Sequence, residues 1–173
     1  FFALLGGAAF IAGTVFGLSP FMSGVALGAP AIGYALGNFF AGRYSVRFGI
    51  NKMAIIGTLT IIAGLGTSLV LALFGITHPL IFFGFCTFLG LGNGITLPNV
   101  TAGLLSVRPH LAGTASGLGG AMMVGGGAVL AQYASTLLDP TTGALPLQWL
   151  MFLTGIASLL SILFVIWREG RVT

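Results

Sequence analysis

Gly42-Arg43-Tyr44-Ser45-Val46-Arg47-Phe48-Gly49-Ile50-Asn51-Lys52 carries three of the six Lys and Arg residues in a chain of 173. Apolar runs flank it on both sides. Arg108 falls between two further apolar runs, and Arg168 and Arg171 close the chain. The intervening breaks at 17–20, 75–79 and 139–146 contain no Lys or Arg. Every second break is therefore basic, which is the positive-inside pattern of a membrane protein. It predicts six spans, with 42–52, Arg108 and both ends of the chain in the cytoplasm and the other breaks outside.

The composition agrees. Mean hydropathy is +1.11. Hydrophobic residues make up 57% of the chain and charged residues 5%, where a soluble domain carries about 25% charge. So few charges cannot clothe a water-facing surface, and the bilayer has to be the solvent. The same few, dispersed cations form no phosphate-binding stripe, which excludes nucleic acid as a partner. The lone Cys86 lies within an apolar run and supports no disulfide framework. We expect it to pack as a small hydrophobe.

Six helices are expected, at about 1–16, 21–41, 53–74, 80–97, 111–138 and 147–167. Ser19 and Pro20 read as an N-cap followed by a first-turn proline. Pro30 falls mid-helix, where a kink is expected, and the fourth helix is expected to meet Pro98, with an irregular continuation through 101–107 left open. The first run is shorter than the ~20 residues a span needs. No cleavage pattern of a signal peptide follows it. The economical expectation is a chain that begins inside a helix, hence a fragment.

The helices differ in kind. The third and sixth are aliphatic throughout, and Trp149 and Trp167 bracket the sixth as an aromatic belt would, so both are expected to face lipid. The second and fifth are rich in glycine. Gly24/Gly28, Gly33/Gly37 and Gly113/Gly117 are small-xxx-small pairs, which permit close helix approach where packing rather than hydrophobicity drives association. Those two helices are expected inside the bundle. The order is the same in both sets of three helices, an echo of an inverted repeat.

Polar groups inside the helices are few. Tyr34 and Asn38 share one helical face, as do Asn93 and Thr96, at a depth nearer the cytoplasmic side than the midplane. They serve either interhelical hydrogen bonds or a cavity wall. Phe10, Phe85 and Phe88 admit both readings. Met122 and Met123 offer either plain packing or an adaptable surface for varied apolar ligands. Thr58, Thr60, Thr154 and Ser158 are expected to bond back to their own helices, and Gln132 to sit at the interface. No Asp, Glu, Lys or Arg falls within an expected span. A proton-coupled machine needs such a group at membrane depth. No metal site or cofactor is expected. An intramembrane serine protease built on Ser116 would need a histidine base within the membrane, and none follows His110. The non-enzyme alternatives are a six-helix oligomeric channel and a membrane scaffold.

The stretch from Gly37 to Lys52 resembles the cytoplasmic Gly-x-x-x-Asp-Arg-x-Gly-Arg-Arg-type loop of the major facilitator superfamily, in the degenerate form of the C-terminal half. It departs from that pattern in having no acidic residue. Gly17-Leu18-Ser19-Pro20, Leu36-Gly37-Asn38, the segment Leu91-Gly92-Asn93-Gly94-Ile95-Thr96-Leu97-Pro98-Asn99 and above all Pro109-His110-Leu111-Ala112-Gly113-Thr114-Ala115-Ser116-Gly117 are similar to the Bcr/CflA group of drug–proton antiporters. The resemblance implies an all-α polytopic bundle, one half of twelve helices, in the inner membrane of a bacterium. It implies proton-coupled efflux of small amphipathic compounds by alternating access. Phe10, Tyr34, Asn38, Asn93, Thr96, Met122 and Met123 are then the expected cavity residues. Arg43, Arg47, Gly49 and Lys52 would form a cytoplasmic gating loop, and the proton site would lie in the other half.

Overall fold

The computed structural model describes residues 1–107 and 109–171. Arg108, one of the expected cytoplasmic cations, lies outside them. Among the described residues the chain is helical, with no strand. α1 spans Phe2–Phe10 and runs on as a π turn over Ile11–Val15. α2 spans Pro20–Phe48, α3 Ile50–Leu73, α4 Pro79–Ser106, α5 Ala112–Thr136 and α6 Leu145–Glu169. A 3₁₀ turn over Pro109–Leu111 leads into α5. Five of the helices are long and apolar enough to cross a membrane, and Phe2–Val15 is apolar but shorter.

The starts of α2 and α4 follow from local chemistry. The Ser19 hydroxyl accepts from the Met22 N–H at 3.3 Å, ahead of Pro20 at the first helical position. His78 Nδ1 accepts from the Leu80 N–H at 3.2 Å, ahead of Pro79. In both places proline occupies a position whose N–H has no partner within the helix. The breaks after α1 and α3 turn on Gly17 and Gly75, both at positive φ.

One expectation gives way here. The stretch 42–52 is not a loop. α2 continues through Arg43 and Arg47 to Phe48, and α3 begins at Ile50. The whole connection is Gly49, at φ 85° and ψ 152°, a conformation that glycine adopts readily. The 29 residues of α2 reach roughly 44 Å at about 1.5 Å each, well beyond a hydrocarbon core of about 30 Å. The cations thus mark where the helix leaves the lipid, not where it ends. Of the two alternatives for α4, the structure has the continuation: the helix passes through Pro98 without a break to Ser106, as helices supported by neighbours do within membranes.

The packing falls into pairs. α2 lies along α4, α4 also lies along α3, α3 along α6, and α1 along α5. The central core joins Leu4, Ala8 and Ile11 of the first helix to Phe82, Phe83, Cys86 and Leu89 of α4, closed by Leu147 and Met151 of α6. α3 is not simply a lipid-facing helix. Gly57, Ile61, Gly64 and Leu65 are buried, while Ile56, Leu59, Val70 and Leu73 point outward. α5, expected inside the bundle, buries only Gly127 and Ala134. Trp149 and Trp167 stand exposed near the two ends of α6, roughly 27 Å apart along the axis, about the thickness of the hydrocarbon.

Side-chain hydrogen bonds tie α3 to α6 at both ends of the bundle. At one end of the bundle Asn51 Nδ2 donates to Glu169 Oε2 at 2.9 Å. At the other, Gln148 Nε2 donates to Ser68 Oγ at 2.9 Å.

Candidate functional site

The α2–α4 seam sets the geometry midway along the two helices. A Cβ on Gly33 would overlap the Thr87 carbonyl, one on Gly37 the Leu91 carbonyl, one on Gly90 the Pro30 carbonyl, and one on Gly94 the Tyr34 carbonyl. The two backbones therefore run in contact over two turns, which only glycine permits. Gly90 and Gly94 carry the same four-residue spacing as Gly33 and Gly37. That signal was present in the sequence and points to α4 as the partner helix. On its other side α4 meets α3, where Gly57 lies against Thr96 and Gly92, and Gly64 against Phe88.

This seam sets the polar residues level with one another. Tyr34 and Asn93 are each the fifteenth residue of their helix, in α2 of 29 and α4 of 28 residues. Gly94 against the Tyr34 carbonyl puts them level. Each lies midway along its helix as a whole, and the part of α2 beyond Gly42 carries the cations.

The side chains then divide. Asn38 Nδ2 donates to the Tyr34 carbonyl at 2.9 Å, within α2. The Tyr34 side chain is partly exposed beside it. Asn93 is half-buried, and its Nδ2 has no hydrogen-bond partner. Thr96 does not face open space. It is 7% exposed and its Oγ1 donates to the Ala54 carbonyl of α3 at 3.4 Å, a long bond that bridges two helices. Phe10 packs half-buried at the edge of the core. Met122 and Met123 are exposed on α5, at 69% and 50%. α2 and α5 share no substantial contact, so Tyr34 and Asn38 on one side and the two methionines on the other are not brought together within this chain.

The small-xxx-small pairs divide too. A Cβ on Gly24, Gly28, Gly113 or Gly117 would meet nothing within 4 Å. Thr58, Thr60 and Thr154 each bond a carbonyl of their own helix, at 2.9, 2.8 and 2.9 Å. Asn99, buried and bonded to the Ile95 carbonyl at 2.7 Å, leaves its Oδ1 without a partner. Its place directly after Pro98 hides it, since an asparagine after a proline reads as a helix end.

Charge is segregated. Arg43, Arg47, Lys52, Arg168 and Arg171 gather at the end of the bundle where Asn51 meets Glu169. Arg47 and Arg171 lie over the rings of Phe48 and Trp167, with centroid distances of 5.5 and 3.9 Å. Asp139, in the turn before α6, accepts from the Thr141 hydroxyl at 2.6 Å and the Thr141 N–H at 2.7 Å. These bonds hold its carboxyl below the usual range, the hydroxyl contributing most. Among the described residues no cluster of His, Cys, Asp or Glu could hold a metal ion.

The family model of the Major Facilitator Superfamily matches residues 1–173. No curated protein and no solved structure matches the chain. The match covers the whole sequence, so the chain belongs to the Major Facilitator Superfamily. It is a membrane-embedded protein of a family of transporters.

Proposed function

We propose that this member of the Major Facilitator Superfamily is the C-terminal half of a proton-coupled drug exporter of the Bcr/CflA type, in the inner membrane of a bacterium. In this reading the basic end of the bundle is cytoplasmic. Small amphipathic or cationic compounds leave through a cavity shared by this half and six further helices. α2 and α4 contribute Tyr34, Asn38 and Asn93 to its wall. α1 contributes Phe10, and α5 contributes Met122 and Met123. The halves rock about this level, and proton binding to an acid elsewhere in the protein resets the cavity.

The observation that carries the reading is Asn93. Its amide donor is buried without a partner midway along α4. Leaving such a group unpaired costs about 1–3 kcal/mol. Turned toward the open side of α4, the half-buried side chain would recover it from a substrate acceptor or from a helix of the other half. The open glycines of α2 and α5 support the same arrangement, because faces that admit close backbone approach are left uncovered. Thr96 is left out of the wall, since it is bonded to α3.

Ethidium efflux from everted vesicles holding the full-length protein tests this. Wild-type transport should collapse with a protonophore. Asn93→Leu should lower the rate at least about tenfold at equal expression, through loss of a hydrogen bond made in the transport cycle. Chain 1–173 expressed alone should confer no resistance on an efflux-deficient host. Resistance from it would overturn the placement of the proton site and favour an oligomeric channel of six-helix units.

A further inference from the structure

We propose that a cavity at the end of the bundle opposite the cations binds a small, uncharged, amphipathic molecule. The site is separate from the transport path. The cavity holds about 310 Å³ between the ends of α1, α3 and α4 and the turn that leads into α6. That volume lies within the ~300–1,000 Å³ range of ligand pockets. Phe16, Ile81 and Phe82 supply an apolar wall, and Ser68, Thr77 and Gln148 supply polar groups.

Gln148 sets the chemistry. It is 4% exposed. Its Nε2 donates to Ser68 Oγ at 2.9 Å, while its Oε1 has no partner in the protein. One half of the carboxamide is thus satisfied by α3 and the other half by nothing. Gln148 lines the cavity, so a donor there pairs with Oε1 once the carboxamide turns toward it. His78 also lines the cavity. Its Nδ1 accepts from the Leu80 N–H at 3.2 Å, so in the neutral ring Nε2 carries the proton and is a donor. No Asp, Glu, Lys or Arg lines the cavity among the described residues. An apolar body with one N–H or O–H donor and one acceptor fits this set, and a charged ligand does not.

A neighbouring groove of about 490 Å³, between the starts of α2 and α4, is walled by Met22, Val25, Leu80 and Phe83. It has no polar wall group but His78, so lipid chains suffice to fill it. The polar cavity differs by its half-satisfied amide. Phe82 and Asn93 are 11 positions apart on α4, roughly 17 Å along the axis. Occupancy can therefore be read without transport, and its failure would leave the exporter reading untouched.

The probe pair is benzamide, which has the donor and acceptor, and toluene, which has neither. Saturation-transfer NMR on the full-length protein in detergent should show saturable benzamide binding. Gln148→Leu keeps the bulk and removes the acceptor, and should weaken benzamide at least tenfold while leaving toluene unchanged. Ala144→Phe, in the cavity wall, should abolish both signals, and it keeps the test open if the Gln148 variant does not fold. Absence of saturable benzamide binding would mean that the cavity holds water only. Binding indifferent to either substitution would place the ligand elsewhere. Either result overturns the proposal.

Discussion

The α2–α4 pair and the α1–α5 pair are built from similar material and put it to different use. Exchanging the first three helices with the last three carries one pair onto the other and the α3–α6 contact onto itself. In α2–α4, four glycines meet backbone to backbone, and each excludes even a methyl group. In α1–α5 the contact is softer. Gly6 lies against the backbone of Ala131, but Gly127 lies against the ring of Phe2. Gly113, Gly117, Gly120, Gly125 and Gly126 of α5 meet nothing. A glycine face states that something can come close. Only the partner decides whether it is a seam or a surface in waiting.

The contrast can be broken most sharply at Gly94. Gly94→Leu drives a side chain into the Tyr34 carbonyl, and backbone cannot yield as a side-chain tip can. We expect a loss of about 3 kcal/mol or more, seen as a collapse in folded yield and melting temperature of the detergent-solubilised protein. A normal melting temperature would mean that the two helices stand further apart. Gly117→Leu should do the reverse in the full-length protein, keeping the fold while lowering transport, because its neighbour would belong to the other half. Unchanged transport together with unchanged thermal stability would end the close-approach reading of α5.

Smaller effects sharpen the same comparison. Gly127→Ala meets the Phe2 side chain rather than backbone, so a smaller cost of about 1 kcal/mol is expected. A cost equal to that of Gly94→Ala would erase the distinction between the two pairs. Thr96→Val removes the bridge from α4 to α3. Interhelical bonds of this kind average about 0.6 kcal/mol, and at 3.4 Å this one should not exceed that. Reversible unfolding of both variants in mixed micelles would measure the difference.

Much of the fold was legible because the bilayer leaves few choices. The alternation of basic and uncharged breaks gave the number of helices, and Ser19 with Pro20 gave the start of α2. The α2–α3 connection was misread for a definite reason. Arg43, Arg47 and Lys52 report where water begins, and a helix can continue into water. The fate of the glycines was only half legible. Four-residue spacing announces a flat face on α2, α4 and α5 alike but does not say which faces meet. The candidate site was less legible still. Asn93 and Thr96 look equivalent in sequence, yet about a sixth of a turn separates an unpaired amide from a hydroxyl bonded to α3. Nothing within 80 positions of Gln148 names Ser68 as its partner.

The single residue between α2 and α3 has a consequence for biosynthesis. With Gly49 alone as the joint, the two long helices have no slack between them. They should leave the translocon as one hairpin, since neither can settle in the bilayer while the other lags behind in its exit pore. A tag or protease site placed there would prise the hairpin apart. The eight residues from 137 to 144 between α5 and α6 are where such an insertion can be absorbed.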